Sequence, residues 1–440
     1  MTPLPPKLRT FVKPAVLPKH QKIPGPEGIS LIVSHFYIKY ILFYENTGNA
    51  PDFMNHERLQ NALSHTLTHF YAVAGRFLPR ERGRYDITDF HKGVLFQIVQ
   101  SADDYEAYKS ERYSYSVGPF NELLAINHFT SLQCPLMALQ VTLMRGGITL
   151  GFSFHHKIFD GAVVQNFLSV FTKIARGEEP TEHIHPLYDC DRERDLAQMG
   201  FYNHSIEYPI LDRAYHPRHD WDAPSEKHLL IVDKKKLKQL HSHVQQTDPV
   251  KKLSINDVLA AFLYKLIAKA RNDKQNRPCD LVYVASKRHL HPDKRMIDYF
   301  GNYYVAAVCH DRPSEVANRT VLETGHRLRQ VLDKITTSYM ESLEQYINNS
   351  PDPTNIISTL PRTTPLAVGW SDWSRFLIDC DFGYGRYSAL RPYVDPTPYV
   401  LVITLPSTRD ELEVLLQFDT ASMRRLLNDP ELKQIVTAIF

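Results

Sequence analysis

The clearest alternation in the chain lies at Ile148, Leu150, Phe152 and Phe154, which are separated by small or polar residues. Period two predicts a strand with one buried face. Carried one step further, the same parity turns His156 into the protein and His155 the other way. Gly161 then opens a helical stripe of Val164, Phe167, Leu168, Phe171 and Ala175, and Gly177 is suited to end it. Upstream, the apolar residues 135–144 and the Gly146-Gly147 turn predict the partner strand of a hairpin.

Elsewhere the pattern is coarser. Residues 1–28 are Pro-rich and read as an extended surface segment, with 29–33 as the first strand. Leu59, Ala62, Leu63, Leu67 and Phe70 fall at helical spacing and predict a helix over 57–71. A strand is expected over 93–100, and a helix or loop over the charged 103–111. Periodicity lapses over about 177–224, which reads as a long crossover between two halves. Past it come a strand at 229–233, a Lys-rich helix from Lys234, and a helix after Ser254, where Asp257 stands in the capping-box position. Strands at 281–286 and 303–308, a mostly helical 318–346, a strand pair at 399–406 and 412–419, and a closing helix complete the prediction. Strand and helix mixed in each half favour two α/β layers.

At 440 residues the chain has room for two domains. A net charge of +2 without a block of like charge argues against nucleic acid or an anionic membrane as the main partner and for a small molecule. Cys134, Cys190, Cys279, Cys309 and Cys380 are widely spaced and form no CxxC pair, which suits reduced thiols in the cytoplasm and supports no metal site. The N-terminal stretch lacks the apolar run of a secretory leader, and no apolar run approaches the roughly 18 residues of a membrane span.

The pattern His-x-x-x-Asp occurs four times, at His156/Asp160, His185/Asp189, His216/Asp220 and His289/Asp293. Only the first follows an alternating strand and precedes a glycine that opens an amphipathic helix. An imidazole there suits a general base in a substrate channel. It also suits a hydrogen-bonded core histidine with Asp160 as a helix cap, and the local pattern leaves both open. No Ser or Cys stands in a nucleophile motif such as GxSxG.

Set beside DFGYG at 381–385, the stretch HHKIFDG at 155–161 gives the chain a resemblance to the BAHD acyltransferases, the CoA-dependent family with HxxxD and DFGWG motifs. Further similarities lie at 59–77, 135–147, 253–265, Arg288, YFGN at 299–302, and 412–423. The resemblance implies an α/β fold of two chloramphenicol-acetyltransferase-like domains, each a mixed β-sheet with flanking helices, around a central channel. Residues 1–185, joined by about 362–392, would form one half, 186–224 the crossover loop, and 225–440 the other half, with DFGYG nearby.

It further implies that His156 is the general base, midway along the channel. It would take a proton from an acceptor alcohol or amine that attacks the thioester of acyl-CoA, with no acyl-enzyme. Asp160 would point away from substrate and pair with Arg288, with Gly161 beside it. Ser371, two positions before Trp373, would donate to the oxyanion. Lys251, Lys252 and Ser254 at a helix start, with Arg375, would hold the CoA phosphates. Asp381, Gly383 and Gly385 would be structural, far from His156 and shaping the C-terminal half, with Tyr384 replacing the family's Trp at little cost. Gly301 and Asn302 read as structural too. SHFY at 34–37 departs from the family at Tyr37, where Asp is common.

A cytoplasmic monomer is expected, with acyl-CoA as co-substrate, no tightly bound cofactor, no metal, no nucleic acid and no membrane. The 24 Tyr and 22 Phe suit a channel for a flat or terpenoid acceptor and serve a core equally well. HHxxxDG is also the signature of condensation domains that use carrier-protein thioesters, and a catalytically silent homologue acting as a binding partner is the third reading.

Overall fold

The structure is a computed structural model that describes residues 7–180, 202–211, 224–247, 252–291, 293–357, 366–376, 379–397, 399–407 and 409–440. Lys251, Cys190 and the pairs His185/Asp189 and His216/Asp220 lie outside the described residues.

The fold is α/β, with two large mixed sheets flanked by helices. The first sheet runs in the order β1 (Lys7–Val12), β6 (Val94–Asp104), β7 (Met137–Arg145), β8 (Gly147–His155), β3 (Tyr37–Glu45) and β13 (Ala389–Pro392). Within it β6 and β7 are parallel and the other neighbours antiparallel. The second runs β11 (Tyr304–Cys309), β10 (Leu281–Ser286), β12 (Val368–Asp372), β14 (Val400–Leu405), β15 (Glu411–Asp419), β9 (Ser225–Asp233) and β16 (Val436–Ile439). Here β10, β12 and β14 are parallel. A small sheet of β2 (Lys22–Pro24), β5 (Tyr85–Thr88) and β4 (Arg76–Pro79) lies beside the first.

One apolar core packs on the first sheet and takes in Leu229, Ile231, Ile403, Leu405 and Leu415 of the second, and a separate core packs on the second sheet. The helix Gly161–Arg176 buries Val163, Val164, Phe167, Leu168 and Phe171 against the first, and ends as expected at Gly177 in the left-handed region with φ 77°. The helix Ile255–Arg271 begins with the capping box: Ser254 Oγ accepts from the Asp257 N–H at 3.1 Å, and the Asp257 carboxylate takes the Ser254 N–H at 2.7 Å.

Several expectations are corrected. All nine residues of β8 are buried, because its polar parity is covered as well as its apolar one. Ser153 Oγ donates to the Ile126 carbonyl at 2.6 Å, and the Leu123 carbonyl sits over Gly151. Parity therefore does not separate inside from outside: His155 is fully buried, and His156, in the turn just past the strand, is the half-buried one. Residues 29–32 form a short helix instead of a strand, and the N-terminal extension is an edge strand of the first sheet. The helical stretch 318–346 divides into Val321–Asp333 and Thr337–Asn348, and the chain closes on β16 after the helix Thr420–Leu427. The strand β3 matches no predicted element.

The DFGYG motif packs on elements around the first sheet, where the joining of 362–392 to the first half would put it, and in that it differs from a motif that shapes the C-terminal half. The Phe382 ring meets Phe171 at 5.0 Å and Tyr44 at 6.0 Å, and the Tyr384 hydroxyl donates to the Asp52 carbonyl at 2.9 Å. The tyrosine is thus more than a smaller tryptophan, because its hydroxyl is in use. Asp381 Oδ1 accepts the N–H groups of Gly383, Tyr384 and Gly385, and both glycines have positive φ, 97° and 91°.

Two glycine substitutions separate crowding from strain. Nothing lies within 4 Å of a Cβ placed on Gly385, so Gly385→Ala is expected to cost the backbone strain alone, about 1–3 kcal/mol. A Cβ on Gly151 would stand 1.8 Å from the Leu123 carbonyl oxygen, so Gly151→Ala is expected to cost at least the ~3 kcal/mol upper end of overpacking. Urea unfolding checks both, with Gly48→Ala expected within about 0.5 kcal/mol of the parent.

Candidate active site

The turn that follows β8 is fastened on every side. The His156 N–H donates to the Phe36 carbonyl at 2.9 Å, and the His156 carbonyl accepts from Asn302 Nδ2 at 2.7 Å. Asp160 caps the helix Gly161–Arg176, its Oδ1 accepting from the Val163 N–H at 3.0 Å. Its Oδ2 accepts from Arg288 Nη2 at 2.8 Å and from the Tyr303 N–H at 3.0 Å. The buried Arg288 also donates to the carbonyls of Met296, Tyr299 and Gly301. Among the described residues Asp160 makes no hydrogen bond to His156, so it does not orient the imidazole as a triad carboxylate would.

The His156 ring meets Phe36, at a centroid distance of 4.9 Å, and Tyr304, at 5.9 Å. Its Nδ1 is shielded from solvent with no hydrogen-bond partner among the described residues. Burial pushes the imidazole below its ordinary pKa, opposed by the charge of Asp160 and by the Asn302 amide, so at neutral pH the ring is a free base.

Behind the turn runs a chain of neutral donors. His155 Nδ1 accepts from the Lys157 N–H at 3.2 Å, so its Nε2 carries the proton and donates to His35 Nδ1, 3.2 Å away. That leaves the His35 Nε2–H to donate to the Tyr85 hydroxyl at 3.1 Å. Burial and the Lys157 charge lower His35 to about 4, and burial lowers His155 far below its ordinary value. The Lys157 ammonium, itself lowered to about 8 by burial, donates to the carbonyls of Ser30 at 3.1 Å and Leu31 at 2.8 Å. Asn302 N–H donates to Ser30 Oγ at 2.9 Å, which ties this side to YFGN. Sequence reasoning missed His35, Lys157 and the grip of Asn302 on His156; the doublet HH and the polar residues of SHFY were the only signals for them.

Ser371 is linked to the helix start at Gly161 through two rings. Its Oγ accepts from Trp373 Nε1 at 2.9 Å, so its own proton is left to donate elsewhere. Trp373 meets Tyr40 at 6.4 Å and Phe376 at 5.7 Å, and Phe376 packs so closely on Gly161 that a Cβ there would stand 3.1 Å from its ring. Gly161 is therefore a close-approach glycine. Asn256 Nδ2 donates to Asp372 Oδ2 at 3.1 Å, which joins this segment to the start of the helix Ile255–Arg271.

At that helix start, the expected phosphate site, the polar groups have partners within the protein. Ser254 Oγ is committed to the cap, and Asp257, ion-paired with Arg329, occupies the first turn. Lys252 and Arg375 are exposed, with no contact joining them to each other among the described residues. The same residues contain no group of three or more His, Cys, Asp or Glu able to hold a metal ion, and no helix long and apolar enough to cross a membrane.

The sequence profile of the transferase family matches residues 9–433. The chain is a BAHD acyltransferase. It is thus an acyl-CoA-dependent O- or N-acyltransferase. It is 26% identical to shikimate O-hydroxycinnamoyltransferase of Nicotiana tabacum over 86% of this chain and 88% of that one. In structure it is similar to F. graminearum TRI101 in complex with coenzyme A and T-2 mycotoxin, with a TM-score of 0.81, 18% identity and coverage of 94% of this chain and 99% of that one. Vinorine synthase has the same fold, with a TM-score of 0.70, 18% identity and coverage of 98% of both chains.

Asp160→Ala is expected to cost about 3–5 kcal/mol in urea unfolding, because it strands the buried Arg288, and the double variant Asp160→Ala/Arg288→Met should recover part of that loss. Protons tell a second story. A histidine whose folded pKa is depressed binds fewer protons folded than unfolded, so stability is expected to fall as pH drops from about 6.5 towards 4. Replacing His35 by Gln should flatten this slope in thermal melts across that range.

Proposed function

We propose that this acyltransferase moves an acyl group from acyl-CoA to a hydroxyl or amine of a small specialised metabolite, with His156 as the general base. The observation that carries the assignment is the fixed imidazole: Nδ1 is shielded, Nε2 is left as the working nitrogen, and the Asp160–Arg288 pair holds the turn from behind. Nε2 takes the acceptor's proton as its oxygen or nitrogen attacks the thioester carbonyl. The tetrahedral oxyanion is met by the Ser371 hydroxyl proton, which Trp373 leaves free. Collapse breaks the carbon–sulfur bond, and the imidazolium returns the proton to the departing CoA thiolate. Donor and acceptor are held together throughout, and no residue is acylated.

TRI101, solved with coenzyme A and a mycotoxin, supports a free-CoA donor and a small-molecule acceptor. Lys252 and Arg375, with Lys251, supply positive charge for the CoA phosphates near the start of the helix Ile255–Arg271. Residues 1–185 with 362–392, and 225–440, form the two halves that flank the channel. The enzyme works as a cytoplasmic monomer, in keeping with free thiols at Cys134, Cys279, Cys309 and Cys380.

His156→Ala is expected to lower kcat/KM by roughly 10²–10⁴ and Ser371→Ala by roughly 10², read as thiol release from a panel of acyl-CoAs and acceptors. Retained turnover in the His156 variant would remove the base assignment. Because burial disfavours the imidazolium, the acid limb of kcat/KM should have its midpoint below about 6.5.

A further inference from the structure

The segment SHFY and Tyr304, two residues past YFGN, meet at His156 in a way the chemistry above does not use. Phe36 is 45% exposed, unusual for so large an apolar side chain beside a reactive centre. Its backbone is not loose. The Phe36 carbonyl holds the His156 N–H, His35 is locked between His155 and Tyr85, and the Tyr37 hydroxyl donates to the Pro135 carbonyl at 2.7 Å. The ring is therefore held in the open by a rigid frame.

Tyr304, at the start of the edge strand β11, meets the same imidazole. Its ring is half-buried, and its hydroxyl has no hydrogen-bond partner among the described residues. A phenol that meets solvent and has no protein partner can bond a ligand instead. Burial and the charge of Asp160 raise its pKa, so it remains a protonated donor. The residues just before it are pinned by the Asn302 bond to the His156 carbonyl and the Tyr303 bond to Asp160, so the phenol keeps its place relative to the imidazole.

We propose that Phe36 and Tyr304 form the acceptor seat, a two-ring specificity site beside His156 that takes a flat aromatic acceptor carrying a second polar group. The proposal rests on the reading of His156 as the base. Phe36 covers the acceptor's ring, the nucleophilic oxygen or nitrogen reaches Nε2, and the second polar group pairs with the Tyr304 hydroxyl. Ser371 and the helix start joined to it through Asn256 and Asp372 belong to other elements, so the seat discriminates among acceptors and leaves the acyl-CoA end alone.

Binding titrations in the presence of CoA test this without turnover, using 4-hydroxybenzyl alcohol, benzyl alcohol and cyclohexylmethanol as probes. Phe36→Ala is expected to weaken both aromatic probes by roughly 3–10-fold, the scale of one aromatic contact, and cyclohexylmethanol by less than about twofold. Tyr304→Phe is expected to weaken 4-hydroxybenzyl alcohol alone, by a similar factor. The KM for acetyl-CoA should stay within about twofold in both variants. Should Phe36→Ala fold poorly by thermal melt, Phe36→Leu keeps the bulk and reads the same aromatic preference. An equal loss for all three probes, a loss below about twofold for the aromatic ones, or no binding of 4-hydroxybenzyl alcohol to the parent enzyme would each overturn the seat. Activity of His156→Ala is measured separately, so a failed seat and a failed base give different results.

Discussion

One carboxylate holds the reactive turn in place. Asp160 closes the N-terminus of the helix Gly161–Arg176, pairs with the buried guanidinium of Arg288 and receives the Tyr303 N–H. The first of these belongs to the region of the first sheet, and the other two come from the loops around β10 and β11 of the second. Two charges withdrawn from water are costly, and the pair is tolerable because nearly every donor and lone pair around it is used. The consequence is geometric more than energetic. The imidazole of His156 sits where it does only while the two sheets keep their mutual position.

The two adjacent histidines show how environment divides labour between identical side chains. His155 is sealed in and has both ring nitrogens engaged, which fixes its tautomer and removes it from proton traffic. His156, one residue further, has a shielded Nδ1 and a ring in contact with two aromatic side chains. Both are kept neutral by burial, yet only one is placed where neutrality is useful to a reaction. Burial does most to keep the rear histidines uncharged, and the Lys157 ammonium, set against two backbone carbonyls, adds to it.

What could be read in advance was local. The hairpin of β7 and β8, the helix that Gly161 opens and Gly177 closes, and the Ser254–Asp257 cap are set by neighbours a few residues apart, and spacing exposes them. The strand β3 escaped because Tyr37–Glu45 is buried on both faces and so does not alternate. The parity of β8 was real and yet misleading, because residues 123–126 cover the side that should have faced water. The pairing of Asp160 with Arg288, 128 positions apart, was anticipated only through family resemblance. The grip of Asn302 on His156 and the chain from Lys157 to Tyr85 join segments just as remote, and no periodicity records them.

The short strand β13 has a consequence for how the chain is made. It completes the first sheet by pairing Ala389 with Phe43 and Pro392 with Tyr40, so β3 stays an open edge until residues 389–392 have followed it out of the ribosome. At about 5–20 residues per second, that wait is on the order of tens of seconds. Throughout it, the apolar strand YIKYILFYE presents an unpaired edge, the kind of segment most prone to pair with another chain.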